Sequence, residues 1–118
     1  MRVRRTERGW KGHFVGAHKC HFSRNTLLEF GTSKLVISTV GAYLPSEDYV
    51  TLDSNGNYFE TKVFWSDYDP PYFDASVGQE IHPDSPTGVK KLDGEIEADK
   101  MHEKVVREIS KKLRKGSL

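Results

Sequence analysis

A chain of 118 residues has the length of one domain and can bury one modest hydrophobic core. Hydrophobic residues make up 36% and charged residues 30% of it, and no apolar run approaches the roughly 18 residues of a membrane span. We therefore expect a folded, soluble single domain, residues 1–118, with no membrane partner. The single cysteine, Cys20, excludes an internal disulfide and is typical of a reducing compartment. The basic N-terminus lacks the apolar core of a secretory signal.

Charge is distributed unevenly, although the net charge is only +1. Residues 1–25 carry seven Lys and Arg against one Glu, and residues 100–118 carry seven against two. Residues 26–99 carry four Lys against fourteen Asp and Glu. Two basic ends can form a positive patch for an anionic partner if they converge, or they can neutralise the acidic middle of the chain.

The predicted sheet begins with residues 10–17, where apolar and polar residues alternate as in a half-buried strand. Residues 18–23 either continue that strand or form a short second one. Strands are also predicted at 26–30 and 35–44, joined by a short hairpin at Gly31, and the branched residues 35–40 favour a central strand. Further strands are predicted at 58–65 and 72–77, separated by a turn at 67–71 that contains two prolines.

Residues 79–94 are predicted to be irregular, and residues 95–115 to form an amphipathic helix. Asp93 is the candidate N-cap and Gly116 the end of the helix. The predicted apolar face consists of Ile96, Met101, Val105, Ile109 and Leu113, with Val106 beside it. The sequence therefore predicts an α+β fold: an antiparallel β-sheet, roughly residues 8–78, with a C-terminal amphipathic helix packed against it.

Histidine and cysteine residues cluster between positions 13 and 21. His13, His18, Cys20 and His21 are zinc-ligand types, but their spacing matches no common zinc motif. A reactive Cys20 with a histidine base is a second possibility, yet no oxyanion-hole or nucleophile-elbow signature accompanies it. We therefore predict neither a metal site nor catalytic residues, and no cofactor; a small core thiol with surface histidines explains the cluster.

Two anion-binding interpretations remain from the residues alone. The first is nucleic-acid binding, with bases stacked on Tyr58, Tyr72 or Phe73 and phosphates bound by the helix. The helix cations in question are Lys100, Lys104, Arg107, Lys111 and Arg114. A mixed Glu and Lys helix is, however, more often a solvated face.

The second interpretation is a pocket for a small nucleotide. Arg24 and Arg107 would clamp phosphates, and Phe73 would stack on the purine. Asn25, Thr26 or Glu108 would bind ribose hydroxyls. No phosphate-cradling glycine loop is present, so this would not be a nucleoside-triphosphatase pocket.

Five segments in this order resemble a family of small phage proteins: RTERGWKGHFVGAHKCHFSRNTLLEF, LVISTVGAY, NYFETKVF, YFDASV and MHEKVVREI. The chain resembles the anti-Thoeris sponge family, which captures the cyclic ADP-ribose-type signal made by bacterial TIR-domain defence enzymes. The resemblance covers most of the chain, and the ordered set is more specific than any one segment. The added histidines, His18 and His21, depart from the family pattern.

The resemblance implies a non-enzymatic phage anti-defence protein that acts in the host bacterial cytoplasm. Members bind the signal without cleaving it, at sites between subunits, as dimers and in some cases as hexamers (trimers of dimers). Some also hold the cyclic di- and trinucleotides of CBASS defence at a second site. Arg107 and Glu108 correspond to the ADP-ribose site, Arg24 to the cyclic-nucleotide site, and Phe73 or Tyr72 to the stacking aromatic. The alternatives are an enzyme that degrades the signal through His13 or Cys20, or a protein that inhibits a defence complex by direct protein or nucleic-acid contact.

Overall fold

The computed structural model describes residues 2–66 and 77–118, and its architecture is α+β. The strands are β1 Arg4–Glu7, β2 Cys20–Phe30, β3 Ser33–Tyr43, β4 Phe59–Ser66, β5 Val77–Ile81 and β6 Gly88–Val89, followed by helix α1 Glu95–Lys115. All pairings are antiparallel, in the order β1-β2-β3-β4-β5, and β6 also pairs with β4. The predicted fold class, an antiparallel sheet with one C-terminal helix on a face, is confirmed.

β3 lies at the centre of the sheet, as its branched residues predicted. Its side chains alternate between the two faces, so that Leu35 and Ile37 pack under α1 while Val36 packs with Leu27 on the other face. The hairpin between β2 and β3 has Gly31 and Thr32 as its central residues. Gly31 occupies the first central position with a φ of 61°, the pattern of a type II′ turn.

The buried face of α1 is close to the predicted one but shifted at its start. Met101, Val105, Ile109 and Leu113 are buried as expected, whereas Ile96 is 69% exposed. Ala98 and His102 are buried in its place, because the helix crosses the sheet at the level of β2, β3 and β4. No helix in the described part of the chain has the length and apolar character to cross a membrane.

The helix begins and ends at glycines. Gly116 has φ 65° and donates its N–H to the carbonyl of Leu113, so the predicted C-terminal end is confirmed. The predicted N-cap, Asp93, is wrong: Gly94 holds that position without a side-chain hydrogen bond. A Cβ at Gly94 would lie 2.7 Å from Cγ1 of Val89, so close packing against β6 requires glycine there.

The predicted strand at residues 10–17 is wrong. This segment is an irregular loop that ends in a short 3-10 helix, Ala17–Lys19, and the first strand is instead β1. Gly12 adopts φ 134°, which breaks an extended run, and Trp10 packs on Leu27 and Val36. The alternation therefore marks a loop lying across the sheet face opposite α1, which we call the cover loop, residues 8–16.

The segment between β4 and the helix is more ordered than predicted. The predicted irregular stretch 79–94 contains most of β5 and all of β6, both paired with β4. The predicted turn at 67–71 and most of the predicted strand 72–77, with Tyr72 and Phe73, lie outside the described residues.

Candidate functional site

A buried hydrogen-bonded chain joins the sheet to α1. The His102 ring is fully buried, with Nε2 2.7 Å from Oγ1 of Thr26 on β2 and Nδ1 2.7 Å from Oγ1 of Thr39 on β3. Thr39 contacts Thr61 on β4 at 2.6 Å, and the Thr26 hydroxyl reaches the Glu7 carboxylate on β1 at 3.0 Å. One helix residue therefore links four strands through side-chain hydrogen bonds.

The ionised carboxylate of Glu7 determines which group donates and which accepts in each of these hydrogen bonds. Ionised Glu7 only accepts hydrogen bonds, so Thr26 donates its one hydroxyl proton to it and must accept from Nε2–H of His102. Nδ1 then accepts from Thr39, which accepts from Thr61. Burial lowers the pKa of His102 to about 4, so the ring is neutral near pH 7, as this arrangement requires.

Two arginines and three carboxylates form an ion cluster beside this chain. Arg24 contacts Glu7, Asp99 and Glu103, each at 2.8 Å. Arg5 holds both oxygens of Glu103, at 2.8 and 2.6 Å. The hydrogen bonds from Arg5, with those from Arg24, lower the pKa of Glu103 to about 2.

The structure does not assemble the predicted ligand residues of β2 into one site. The guanidinium of Arg24 is occupied by carboxylates, so a phosphate would have to displace them. Asn25 points to the opposite face, where its amide donates to the carbonyl of Trp10 and to Ser23. Thr26 is fully buried in the His102 chain. Their predicted ligand roles stay predictions.

Glu108 lies on the other flank of α1 and holds the loop after β5. Its carboxylate accepts from the backbone N–H groups of Asp84 and Ser85, at 2.7 and 2.8 Å, and pairs with Lys112 at 2.9 Å. Burial opposes its ionisation, yet the hydrogen bonds from Ser85 and Lys112 keep its pKa at about 2. Glu108 thus acts on this chain's own backbone, whatever it contacts in a complex.

Replacing Glu108 with alanine should lower the free energy of unfolding by about 2 kcal/mol, since two backbone donors lose a charged acceptor. Urea denaturation at pH 7 measures the loss, and amide exchange should quicken at Asp84 and Ser85. The control is Glu97→Ala, because the Glu97 side chain is 47% exposed and its carboxylate interacts only with its own backbone N–H and, at 3.4 Å, with Lys91, so it fixes no distant segment among the described residues. Equal effects of the two substitutions would contradict this role.

Arg107 lies in an open groove between β1 and the C-terminal half of α1, with a volume of about 920 Å³. Val3 supplies apolar surface to the groove, which the buried Leu28 and Val106 also line, while Arg5 enters it from β1 and Glu108 from α1. Five cations that line it, Lys104, Arg107, Lys111, Arg114 and Lys115, form no ion pair with any described residue. The groove therefore brings together five cations that have no ion-pair partner among residues 2–66 and 77–118.

His13 holds the cover loop against the sheet. Its ring lies 2.9 Å from Oγ of Ser38 through Nδ1 and 2.9 Å from Oε1 of Glu60 through Nε2. This has the members of a Ser-His-Glu triad, but Ser38 is fully buried and also accepts the His13 backbone N–H at 3.2 Å. No substrate atom could reach that hydroxyl without displacing the loop.

The structure also shows the surroundings of Cys20 and His21. Burial raises the pKa of the half-buried Cys20 thiol, which reduces the thiolate fraction at neutral pH. His21 lies 3.2 Å from the hydroxyl of Tyr49. Within the described ranges, no group of three or more His, Cys, Asp or Glu side chains is placed to hold a metal ion.

Comparison of the chain with protein-family models, curated proteins and solved structures gives no match. The geometry therefore carries the functional argument. Sequence reasoning singled out Arg24 and Arg107 but missed Arg5, Glu7, His102 and Glu103. His102 had a signal, because it falls between Met101 and Val105 on the apolar face of α1, where a histidine needs polar partners across the sheet.

Proposed function

We propose that this protein binds phosphate-bearing cyclic nucleotide signals without cleaving them, and that the groove at Arg107 holds the phosphates. One observation carries the proposal: five cations line a groove without an ion pair to any described carboxylate, and Glu108, the carboxylate in the groove lining, is engaged by Lys112, Asp84 and Ser85 instead. Like charges gathered on two or three turns of helix repel one another, and an anionic ligand relieves that repulsion.

The groove offers chemistry suited to a nucleotide. A guanidinium presents a planar fork of donors to two phosphate oxygens, and Arg107 is exposed and unpaired. The half-buried Val3 provides apolar surface against which a base can pack. Arg5 lies at the opposite wall, fixed by Glu103, so Arg24 supports this site indirectly by holding the same carboxylate.

The resemblance noted from the sequence supplies the ligand class. Cyclic ADP-ribose isomers combine a pyrophosphate, two riboses and an adenine, and cyclic di- and trinucleotides share the same phosphate and base chemistry. A protein that sequesters such signals in the host bacterial cytoplasm acts by stoichiometry and needs tight binding; nanomolar affinity corresponds to ~12 kcal/mol. An open groove on one copy cannot supply that, so the proposal includes a homo-oligomer whose second subunit encloses the ligand.

Arg107→Ala should abolish ligand binding and leave folding intact, since the exposed guanidinium forms no hydrogen bond or ion pair with described residues. With a cyclic ADP-ribose isomer at 100 times the dissociation constant, the wild-type protein should gain roughly 2.7 kcal/mol in the free energy of unfolding. The variant should gain none under the same conditions. Thermal denaturation with and without ligand measures both.

The matched control is Lys100→Ala, which removes an exposed cation of the same helix that does not line the groove. It should keep the ligand-induced gain. Mass spectrometry of the ligand released by denaturation tests the absence of cleavage, and intact ligand is expected after hours. The proposal fails if no cyclic nucleotide stabilises the wild-type protein, or if the ligand is returned cleaved.

Nucleic-acid binding is the second candidate, favoured by the same cations because they extend from Lys104 to Lys115 along ~16 Å of helix. That length spans several backbone phosphates. Affinity for an oligonucleotide would then fall steeply with salt, and each lost phosphate contact would reduce the slope by about one. A shallow slope with strong cyclic-nucleotide binding separates the two candidates.

A further inference from the structure

Within residues 2–66 and 77–118, the outer edge of β1 has no strand paired with it. β1 is four residues long, all exposed, and β2 is the only strand that pairs with it among the described residues. The backbone N–H of Arg8 points to the carbonyl of Asn25 on β2. Because backbone direction alternates along a strand, Thr6 also points toward β2, whereas Arg5 and Glu7 present their N–H and C=O groups outward.

We propose that this edge pairs with the same edge of a second copy, antiparallel and centred on Thr6. In this register Arg5 lies opposite Glu7 of the second copy, and Glu7 lies opposite its Arg5. Each of these pairs joins outward-pointing backbone groups, so each exchanges both backbone hydrogen bonds. The inference gives an interface to the homo-oligomer of the proposed function, but it is argued from the strand and its charges and not from ligand binding.

Charge selects the register. Outward backbone groups can meet only when odd-numbered residues face odd-numbered ones, so a two-fold axis within β1 is centred on Arg4, Arg5, Thr6 or Glu7. Centring on Arg4 or Arg5 places two guanidinium groups opposite each other, and centring on Glu7 places two carboxylates opposite each other. The Thr6 register alone sets opposite charges across the axis on the α1 face. It also sets Arg4 opposite Arg8, a cost that Glu29 reduces because it pairs with Arg4 at 2.9 Å.

The pairing places both helices on one side of a continuous sheet. A two-fold axis perpendicular to the sheet keeps the α1 face of each copy on the same side. Arg5 belongs both to the edge and to the groove, and Val3 lies just before the edge in the groove wall. The two grooves would then lie on either side of the axis. In each groove, the wall that contains Val3 and Arg5 would lie next to the other copy.

Cysteine cross-linking tests the register directly. In the Thr6 register the two copies of Thr6 form a pair that is not hydrogen-bonded across the new interface, with Cα atoms about 4.5 Å apart. That separation suits a disulfide. Thr6→Cys in a Cys20→Ser background should form a disulfide-linked dimer under mild oxidation, read on a non-reducing gel. The rate should be roughly tenfold or more above that of the control, because pairing raises the effective thiol concentration.

The matched control is Arg4→Cys in the same background, since Arg4 is 72% exposed on the same strand. Two cysteines at position 4 would lie about 13 Å apart in this register, four residues of strand from each other, and should not link. Mixing Arg4→Cys with Arg8→Cys should restore linking, and this mixture serves if Thr6→Cys does not fold. Circular dichroism checks folding of each variant.

Equal linking rates for Thr6→Cys and Arg4→Cys would overturn the proposal, as would a mass of 13.5 kDa at every concentration in sedimentation of the unmodified chain. A monomer that still binds a cyclic nucleotide would overturn both this inference and the enclosing second subunit of the proposed function. An oligomer that binds a cyclic nucleotide but links equally fast at positions 4 and 6 would overturn this inference alone. A cross-linked dimer that binds none would overturn only the proposed function.

Discussion

His102→Ala should lower the free energy of unfolding at pH 7 by about 3 kcal/mol, because it empties a fully buried site and removes two hydrogen bonds. The same substitution should remove an acid-sensitive part of the stability. Chemical denaturation between pH 7 and pH 4 measures both effects.

The pH dependence follows from the pKa of the buried ring. The unfolded chain takes up the His102 proton near pH 6.5 and the folded chain only near pH 4. Between those values the unfolded state binds more protons, so the free energy of unfolding falls as the pH is lowered through this window. The loss is about 3 kcal/mol in the wild-type protein. Four charged groups surround the ring, Arg5, Glu7, Arg24 and Glu103, and of these the arginines add to the depression while the carboxylates oppose it.

Two comparisons separate titration from packing. His102→Leu fills the space with an apolar side chain and should also lose the decline between pH 6.5 and pH 4. His82→Ala is the control, since the His82 side chain is 84% exposed and its removal should leave that decline unchanged. Glu103 and Glu108, whose pKa values are about 2, lose their stabilising charge only at lower pH. A decline that persists without His102 would show that another group causes it.

Gly41→Ala should lower the free energy of unfolding by about 3 kcal/mol, the upper end of what overpacking a core costs. Gly41 lies on β3 between Phe22 on β2 and Phe59 on β4, whose rings meet edge to face at 5.8 Å. A Cβ there would lie 2.1 Å from Cδ2 of Phe59 and 2.6 Å from the carbonyl oxygen of Tyr58. Phe59 is fully buried and the carbonyl belongs to the backbone, so neither moves aside easily.

The control for this substitution is Gly9→Ala. A Cβ at Gly9 meets no atom within 4 Å, and the backbone there is not left-handed, so the change should stay within about 0.5 kcal/mol. Thermal and urea denaturation of both variants give the comparison. A Gly41→Ala protein as stable as Gly9→Ala would mean that the two aromatic rings can separate at little cost.

The elements that sequence reasoning located are those whose signal is local. Helix α1 has a 3.6-residue apolar period and a terminal glycine, and β3 has a run of branched residues; both were placed within two residues. The cover loop was mistaken for a strand because Trp10 and Phe14 alternate with polar residues, and alternation cannot show whether a chain pairs with neighbours or lies across them. β1 is four polar residues and β6 only two residues, so neither is long enough to produce a pattern.

The candidate site was only partly accessible for a related reason. Arg107 could be recognised as a helix cation, but whether it has a carboxylate partner depends on long-range geometry. Arg24 looked like a ligand residue from its neighbours Asn25 and Thr26, yet three carboxylates distant in sequence occupy it. The hydrogen-bond partners of His102, Thr26 and Thr39, lie on two different strands far from it in sequence, so only the folded chain reveals them.

The cover loop has a consequence for the order of assembly. Its anchor, His13, forms hydrogen bonds to Ser38 on β3 and to Glu60 on β4. The loop can therefore dock only after these two strands have paired. Undocking of the cover loop, in contrast, does not require the backbone hydrogen bonds between β3 and β4 to break. We therefore expect amides of this segment to exchange with solvent through a sub-global opening, long before those of β3, and proteases to nick the chain there first.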